Sequence, residues 1–433
     1  MKVIMFSWEY PPKSVGGLAQ HVYDLTSALT EKDHEIDLIT VGSQELPPLE
    51  IVNGVKVHRV SPYPLNPPHF IPWIIQLNIS MLEKAVSLFN SNYYDLIHAH
   101  DWLVAFAGRS LKHIYKIPLV ATIHATEYGR NQGLHNEDQN YISDVEWWLA
   151  FEAWKVICCS SYMKKDLKKV FGLPEDKLRV IYNGVDIENY KTDASKGAIK
   201  TFRKQFATSK ERIVFFVGRL VQEKGVQVLL EAAPRILNYC PQTKFVISGK
   251  GPMMEELKNK ISSRGIDDKV IFTGYIDDET RNLLYASSDV AVFPSLYEPF
   301  GIVALEGMAT RTPVVVSDTG GFSEIVNHGV DGYKALSGNP GSLADNILKV
   351  LMDETTAQKI SHRAYRKVRD SFTWQEIAGN TEKIYGEVLS SYMRSSWSKE
   401  AQEVHEKRVQ SVNQHPLHYP REYNLYQQEG DFN

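Results

Sequence analysis

Residues 1–41 read MKVIMFSWEYPPKSVGGLAQHVYDLTSALTEKDHEIDLITV, and this stretch decides the fold. Residues 2–7 form an apolar run with no polar alternation, the pattern of a strand covered on both faces. A loop carrying Pro11, Pro12, Lys13, Gly16 and Gly17 follows. An amphipathic helix is predicted from about Leu18 to Leu29, and Glu35–Val41 is a second strand. A strand, a loop at its carboxyl end, a helix and another strand open a parallel α/β unit.

The same alternation continues. Leu96–Ala99, Leu119–Ile123 and Val156–Cys159 are further apolar runs separated by helical or loop sequence. From about Asn183 to Lys210 the pattern dissolves into polar residues, and the domain junction falls there. A second series of runs follows at Arg212–Gly218, Lys244–Ser248, Val270–Thr273, Val290–Phe293 and Pro313–Ser317. The expected fold class is therefore α/β, with two doubly wound domains of similar size facing across a cleft. Ligands in such sheets bind beyond the carboxyl ends of the strands. Residues 1–190 are assigned to the first domain and 191–372 to the second. Residues 373–393 are read as a helix packing back on the first domain, and 394–433 as a polar, poorly ordered tail.

Composition limits the function. Of 433 residues, 48 are basic and 52 acidic, a formal charge of −4, which argues against a chain built to coat nucleic acid or anionic membrane. No stretch reaches transmembrane length, and the opening run is too short for the core of a signal peptide, so the cytoplasm is the expected compartment. Cys158, Cys159 and Cys240 are too few and too irregular for a disulfide framework or a paired metal site; Cys158 and Cys159 read as small apolar residues of a buried strand.

Four groups of residues carry chemistry. In Lys13–Leu18, paired glycines and a helix N-terminus let backbone amides approach a phosphate, although a plain strand–helix turn reads the same way. In Gly218–Gly225, Arg219 and Lys224 stand five apart after a strand. They suit a diphosphate, Arg as a fork and Lys as a point charge, and equally two solvated cations. In Glu298–Glu306 an apolar stretch with Gly301 separates two carboxylates. A buried carboxylate needs donors, which a ribose diol or sugar hydroxyls supply. In Thr122–Ala125, His124 ends a strand, where it is either a core histidine or a cleft group. His98-Ala99-His100-Asp101-Trp102 ends another. Its His-x-His has no third ligand at a familiar spacing, so no metal site is expected. Trp147 and Trp148 suit either sugar stacking or the core, and are assigned to the core.

Taken together, these motifs resemble the retaining GT-B glycosyltransferases, in particular bacterial glycogen and starch synthases and their relatives in glycosyltransferase family 4. The resemblance runs to about Tyr392. Lys13–Leu18 is similar to the synthase Lys-x-Gly-Gly-Leu loop with one residue more, and His98–Trp102 to the synthase His-x-His-Asp-Trp. Thr122–His124, Asn183–Asp186, Gly218–Gly225 and Glu298–Glu306 follow in the family's order. Phe300 replaces the synthase cysteine, and Thr126–Arg130 departs from the synthase continuation.

The resemblance implies roles. Arg219 and Lys224, after Gly218, would neutralise a leaving diphosphate with no divalent metal and no cofactor. Gly16 and Gly17 would offer amides to the distal phosphate, Glu306 would hold the ribose, and Glu298 and His124 the donor hexose. Gly274 and Tyr275 would lie beside the base. Phe300, Gly301 and Ile302 would touch sugar and phosphate. Lys13, Asp101 and Asn183 would line the sugar or acceptor side. The implied activity is a glucosyltransferase, a glycogen or α-1,4-glucan synthase using ADP-glucose or UDP-glucose and a maltooligosaccharide or α-glucan acceptor. A family 4 hexosyltransferase with a small acceptor is the alternative. A phosphorylase, a sugar-nucleotide epimerase and a non-catalytic glucan-binding protein are the remaining readings.

Overall fold

A computed structural model describes residues 1–402, apart from residues 15, 44, 64 and 193. The first eight strands are β1 (Lys2–Phe6), β2 (Glu35–Val41), β3 (Leu49–Val52), β4 (Val55–Val60), β5 (Leu96–His100), β6 (Leu119–Ile123), β7 (Lys155–Cys158) and β8 (Leu178–Val180). They form one sheet in the order β3-β4-β2-β1-β5-β6-β7-β8. Six more, β9 (Arg212–Val217), β10 (Thr243–Ser248), β11 (Val270–Gly274), β12 (Val290–Phe293), β13 (Val314–Ser317) and β14 (Tyr333–Ala335), form a second sheet. Its order is β11-β10-β9-β12-β13-β14. Every pairing is parallel except β3 with β4.

The unbroken apolar runs have a direct cause. Along β1, Val3 and Met5 pack with Val22, Leu25, Tyr385 and Val388 on one face. Ile4 and Phe6 pack with Ile74, Leu77 and Met81 of the helix Phe70–Phe89 on the other. Both faces are covered, so neither tolerates a polar residue. In the second sheet, Val214 and Phe216 join one core cluster, and Ile213 and Phe215 join the cluster that also holds β1. One apolar core is thus continuous between the two sheets.

Several elements differ from the sequence reading. Strands β3, β4, β8 and β14 were not anticipated. The β3–β4 hairpin carried a usable signal, Asn53-Gly54, with φ of 49° and 83°. Two residues in the left-handed region match the twist of a two-residue hairpin turn. Strand β5 runs to His100, which leaves His98 inside the sheet. Trp147 is not core: it is 42% exposed and stacks on Phe151 with centroids 5.3 Å apart. Trp148 is half-buried, with the Arg109 guanidinium over its ring. Residues 396–402 are helical, contrary to the polar-tail expectation. Trp397 holds them, packing on Trp154 and lying under Lys112 and Lys116. The rest of that tail, 403–433, lies outside the described residues.

The chain enters the second sheet after β8 and returns at Phe372, whose carbonyl accepts from the Val185 amide at 2.9 Å. Thr373 then caps the helix Trp374–Met393, which lies along the helix Gly17–Thr30 of the first sheet. The Tyr385 hydroxyl reaches His98 Nδ1 at 2.7 Å, while His98 Nε2 meets Thr122 Oγ1 at 2.7 Å. His98 is fully buried and both its nitrogens are used.

Tyr385→Phe strands one of those nitrogens. A buried group left without its partner costs about 1–3 kcal/mol. We expect that loss in denaturant unfolding followed by far-ultraviolet circular dichroism, with the native spectrum unchanged.

Candidate functional site

Each sheet has one place where strand order reverses, between β1 and β5 in the first and between β9 and β12 in the second. Connections leave such a point in opposite directions and open a crevice at the strands' carboxyl ends. Many of the candidate residues stand at these two places; His124 follows β6, one strand beyond the first reversal, Asn183 follows β8, and Gly274 and Tyr275 stand at the end of β11.

In the second sheet, Gly218–Gly225 follows β9 and Pro294–Gly301 follows β12. The two loops are tied by the Leu296 amide, which donates to the Glu223 carbonyl at 2.8 Å. Lys224 Nζ lies 2.8 Å from Glu298 Oε2, and Ser295 Oγ donates to the same oxygen at 3.0 Å. Glu298 is buried, so this pair holds its charge in place. Arg219 is half-exposed and reaches Glu223 Oε1 at 3.2 Å. Gly301 caps the helix Ile302–Ala309 with φ of 106°, and a methyl on it would come within 2.2 Å of the Phe322 ring. Only glycine fits there. The first amides of this helix, beginning at Ile302 behind Phe300, form an electropositive end.

Glu306, on the same helix, does not depend on a ligand for its donors. Tyr285 donates to Oε2 at 3.0 Å and Tyr190 to Oε1 at 3.3 Å, and Arg281 Nε stands 4.0 Å away. At the end of β11, Gly274 has φ of 73°, and Tyr275 is 76% exposed.

In the first sheet, Asp101 follows β5 and His124 follows β6. Asp101 has φ of 60°, a costly conformation for a residue with a side chain, and its Oδ1 accepts from the His124 amide at 2.7 Å. Asn183 Oδ1 accepts from His21 Nδ1 at 2.9 Å. His100 Nδ1 meets His124 Nε2 at 3.1 Å. His21, His100 and His124 thus form one cluster, with ring nitrogens within 4.8 Å of one another. The partners of His100 come from a helix and another strand, not from nearby sequence, so no familiar spacing marks the cluster. His98 takes no part in it.

Burial holds His21, His98 and His100 well below the usual histidine range. His124 is pushed down to about 3 by burial and then by the Arg130 cation. All four are neutral imidazoles at pH 7. Burial raises Asp101 to about 6 against the opposing pull of Arg130 and the His124 amide. Burial also raises Glu146 to about 8, although Glu127's amide and Arg130 act against it.

The loop after β1 departs from expectation. The Gly16 amide already donates to Glu9 Oε2 at 3.3 Å, so a phosphate there has to displace a carboxylate. A methyl on Gly17 would lie 3.3 Å from Ile302 Cδ1 of the second sheet. Lys13 closes a tight turn, its amide donating to the Tyr10 carbonyl at 3.1 Å.

The two sets meet across the cleft. Ser160 Oγ donates to the Pro299 carbonyl at 2.6 Å, and the Ser161 and Tyr162 amides donate to the Glu324 carboxylate at 2.9 and 2.8 Å. The Thr126 amide donates to Tyr297 Oη at 3.3 Å. Both Asp101 and Glu298 act on the buried Cys159 thiol, which burial in the first place holds well above its usual range. Sequence reasoning did not assign His21, Arg130 or Glu146. His21 sits among apolar residues of an amphipathic helix, where nothing local marks it. Arg130 lay in the segment that departs from the synthase pattern.

Residues 15–189 match the family model described as Glycosyltransferase Family 4, and residues 198–367 match Glycosyl transferases group 1. An uncharacterized glycosyltransferase of Methanocaldococcus jannaschii is 41% identical over 386 residues, 89% of this chain and 98% of that protein. A glycogen synthase of Mycobacterium tuberculosis is 32% identical over 408 residues, 89% of this chain and 94% of that protein. The solved structure of sucrose-phosphate synthase from Thermosynechococcus elongatus, 23% identical, superposes with a TM-score of 0.78 over 90% of this chain and 99% of that one. The shared architecture is the GT-B fold.

Glu146 gives a test by pH. Its carboxyl titrates near 8 when folded, against 4.5 ordinarily. Between those values the unfolded chain has lost the proton that the folded chain keeps, so stability falls as pH rises. Glu146→Gln carries no such proton. We expect the wild type to lose stability relative to this variant from pH 5 to pH 8, read from denaturant midpoints at each pH.

Proposed function

This chain belongs to the GT-B glycosyltransferases that join a family 4 domain to a group 1 domain, and from that premise we propose that it is a retaining, metal-independent glucosyltransferase extending an α-1,4-glucan. The donor is ADP-glucose or UDP-glucose, and the acceptor a maltooligosaccharide or α-glucan. The observation that carries the reading is the joint placement of Arg219, Lys224 and Glu298 at one strand-order reversal, with His124 at the end of β6, one strand from the other. The kinship with a glycogen synthase over 89% of the chain supports glucose and glucan as substrates.

In this reading Arg219 and Lys224 take the charge of the departing diphosphate. A bound diphosphate competes with Glu298 for Lys224, and the freed carboxylate accepts from donor-sugar hydroxyls. The amides at Phe300, Gly301 and Ile302 serve the sugar and phosphate, and Gly17 serves the distal phosphate. Gly16 does so once Glu9 yields its amide. Glu306 holds the ribose, with Tyr190 and Tyr285 fixing its orientation. Gly218, Gly274 and Tyr275 border the nucleotide. His124, held by Asp101 through its amide, offers a neutral ring to the hexose, and Asn183 lines the same sugar. Lys13 stands on the acceptor side. Substitution takes place on one face of the sugar, and the departing diphosphate oxygen accepts the acceptor's proton. Catalysis is then charge stabilisation and positioning.

A second reading rests on Arg130. This exposed cation acts on both His124 and Asp101 and stands on the first-domain side, where an acceptor enters. A guanidinium there suits a small phosphorylated sugar as acceptor, and the likeness to a sucrose-phosphate synthase fits that choice. Among the described residues no helix is long and apolar enough to cross a membrane. The three cysteines are free, which suits a reducing compartment, and we assign the cytoplasm.

Incubation with ADP-glucose or UDP-glucose separates these readings. We expect nucleoside diphosphate release that requires maltooligosaccharide and is not lost on adding a chelator. Release that requires a hexose phosphate instead selects the second reading. Arg219→Ala should lower kcat by roughly 100-fold or more, the scale of losing one preorganised donor to transition-state charge, with unfolding unchanged. Lys224→Ala should lower it similarly and also destabilise the fold, since Glu298 keeps only Ser295. Near-normal turnover in both variants overturns the assignment.

A further inference from the structure

The histidine cluster at the carboxyl ends of β5 and β6 holds more than the sugar-binding reading uses. His21 comes from the helix Gly17–Thr30, His100 from β5, and His124 from the end of β6. Their ligand nitrogens lie within 4.8 Å of one another, and among the described residues no other group of His, Cys, Asp or Glu meets that test. Two buried atoms, His21 Nε2 and His100 Nε2, have no hydrogen-bond partner. Leaving a buried nitrogen unpaired is costly, and here two of them belong to one cluster.

The surroundings are those of a ligand set. His21 Nδ1 donates to the Asn183 carbonyl oxygen at 2.9 Å. That bond puts the ring proton on Nδ1 and leaves a lone pair on Nε2. A ring nitrogen donating to an oxygen while the other stays free is the usual second shell of a metal-binding histidine. The Asp101 carboxylate accepts from the His124 backbone amide at 2.7 Å, which fixes the main chain that carries the third ring. His21 and His100 are buried, whereas His124 is half-buried.

We propose that His21, His100 and His124 form a site for a borderline-soft divalent transition-metal ion of the zinc class, with its open coordination position facing the cleft. Three neutral imidazoles are a ligand set for zinc, cobalt, nickel or copper and a poor one for magnesium or calcium. Metal–nitrogen bonds of about 2.0–2.1 Å in a tetrahedron set nitrogens roughly 3.3 Å apart. His124 closes that distance, because it alone of the three borders the cleft. It gives up its hydrogen bond to His100 as the ion enters. The ion then takes the ring that the proposed function assigns to the donor hexose, so metal and sugar exclude each other. The site is inhibitory and has no part in the chemistry.

The test reads metal binding without substrate, so its outcome is independent of the glycosyltransferase reading. Chelator-treated protein is titrated with Co²⁺ and followed by visible absorption, then back-titrated with Zn²⁺. We expect one Co²⁺ per chain with the intense bands of tetrahedral nitrogen and oxygen ligation, bleached by one Zn²⁺. His21→Gln and His100→Gln should each weaken binding at least tenfold with circular dichroism unchanged, and a Cys158→Ser, Cys159→Ser double variant should bind like the wild type. Zinc-edge X-ray absorption of the loaded wild type, which needs no variant to fold, should show three imidazole ligands and no sulfur. Absence of a saturable band up to millimolar Co²⁺ overturns the site. So does binding that neither histidine variant weakens, or sulfur among the ligands.

Discussion

Parallel strands sealed by helices on both faces admit almost nothing polar along their length. That constraint shapes the whole molecule. Charged groups and hydroxyls that must meet a polar ligand are confined to the loops at the strand ends, and the reversal of strand order chooses which loops are open. Arg219, Lys224 and Glu298 follow β9 and β12, and Asp101 and His124 follow β5 and β6. Of the polar groups left inside the sheets, His98 is paired on both nitrogens by Tyr385 and Thr122, whereas His100 in β5 keeps Nε2 without a hydrogen-bond partner.

Charge in the cleft is handled differently on its two sides. The second sheet keeps ionised groups in pairs, Lys224 with Glu298 and Arg219 with Glu223. Lys224 finds its carboxylate on the neighbouring loop, and Arg219 finds its own four residues along the same loop. The first sheet suppresses charge. Burial holds His21, His98, His100 and His124 below the usual histidine range, and Asp101 and Glu146 above the ordinary carboxylate range. Low charge suits a surface that presents hydrogen bonds to sugar hydroxyls, and it leaves a cluster of imidazoles free to bind something other than protons. Contacts such as Ser160 to Pro299 bring the two surfaces together.

Much of this was legible in the amino-acid order. Apolar runs without alternation identified ten of the buried strands to within a residue or two at their ends, because a strand covered on both faces leaves that trace. Strands β3 and β4 escaped, despite Asn53-Gly54, because an edge hairpin has one solvated side and lacks the continuous run. Trp147 was assigned to the core because a single aromatic carries no information about which way its helix faces. Arg219, Lys224, Glu298 and His124 were singled out because each stands in a short motif beside a strand end, and Glu306 because it closes the stretch that begins at Glu298.

By itself, the sequence determined two α/β domains, the strand-end loops that carry the charged and glycine-rich motifs, and kinship with sugar-transferring enzymes. Those properties are written locally, in runs and spacings of fewer than ten residues. Only the tertiary structure decided that Glu9 occupies the Gly16 amide and that Tyr190 and Tyr285 hold Glu306. It alone brought His21, 79 and 103 residues from its partners, against His100 and His124. Such contacts depend on where helices land on a sheet, and that is set by packing over the whole core rather than by any spacing along the chain.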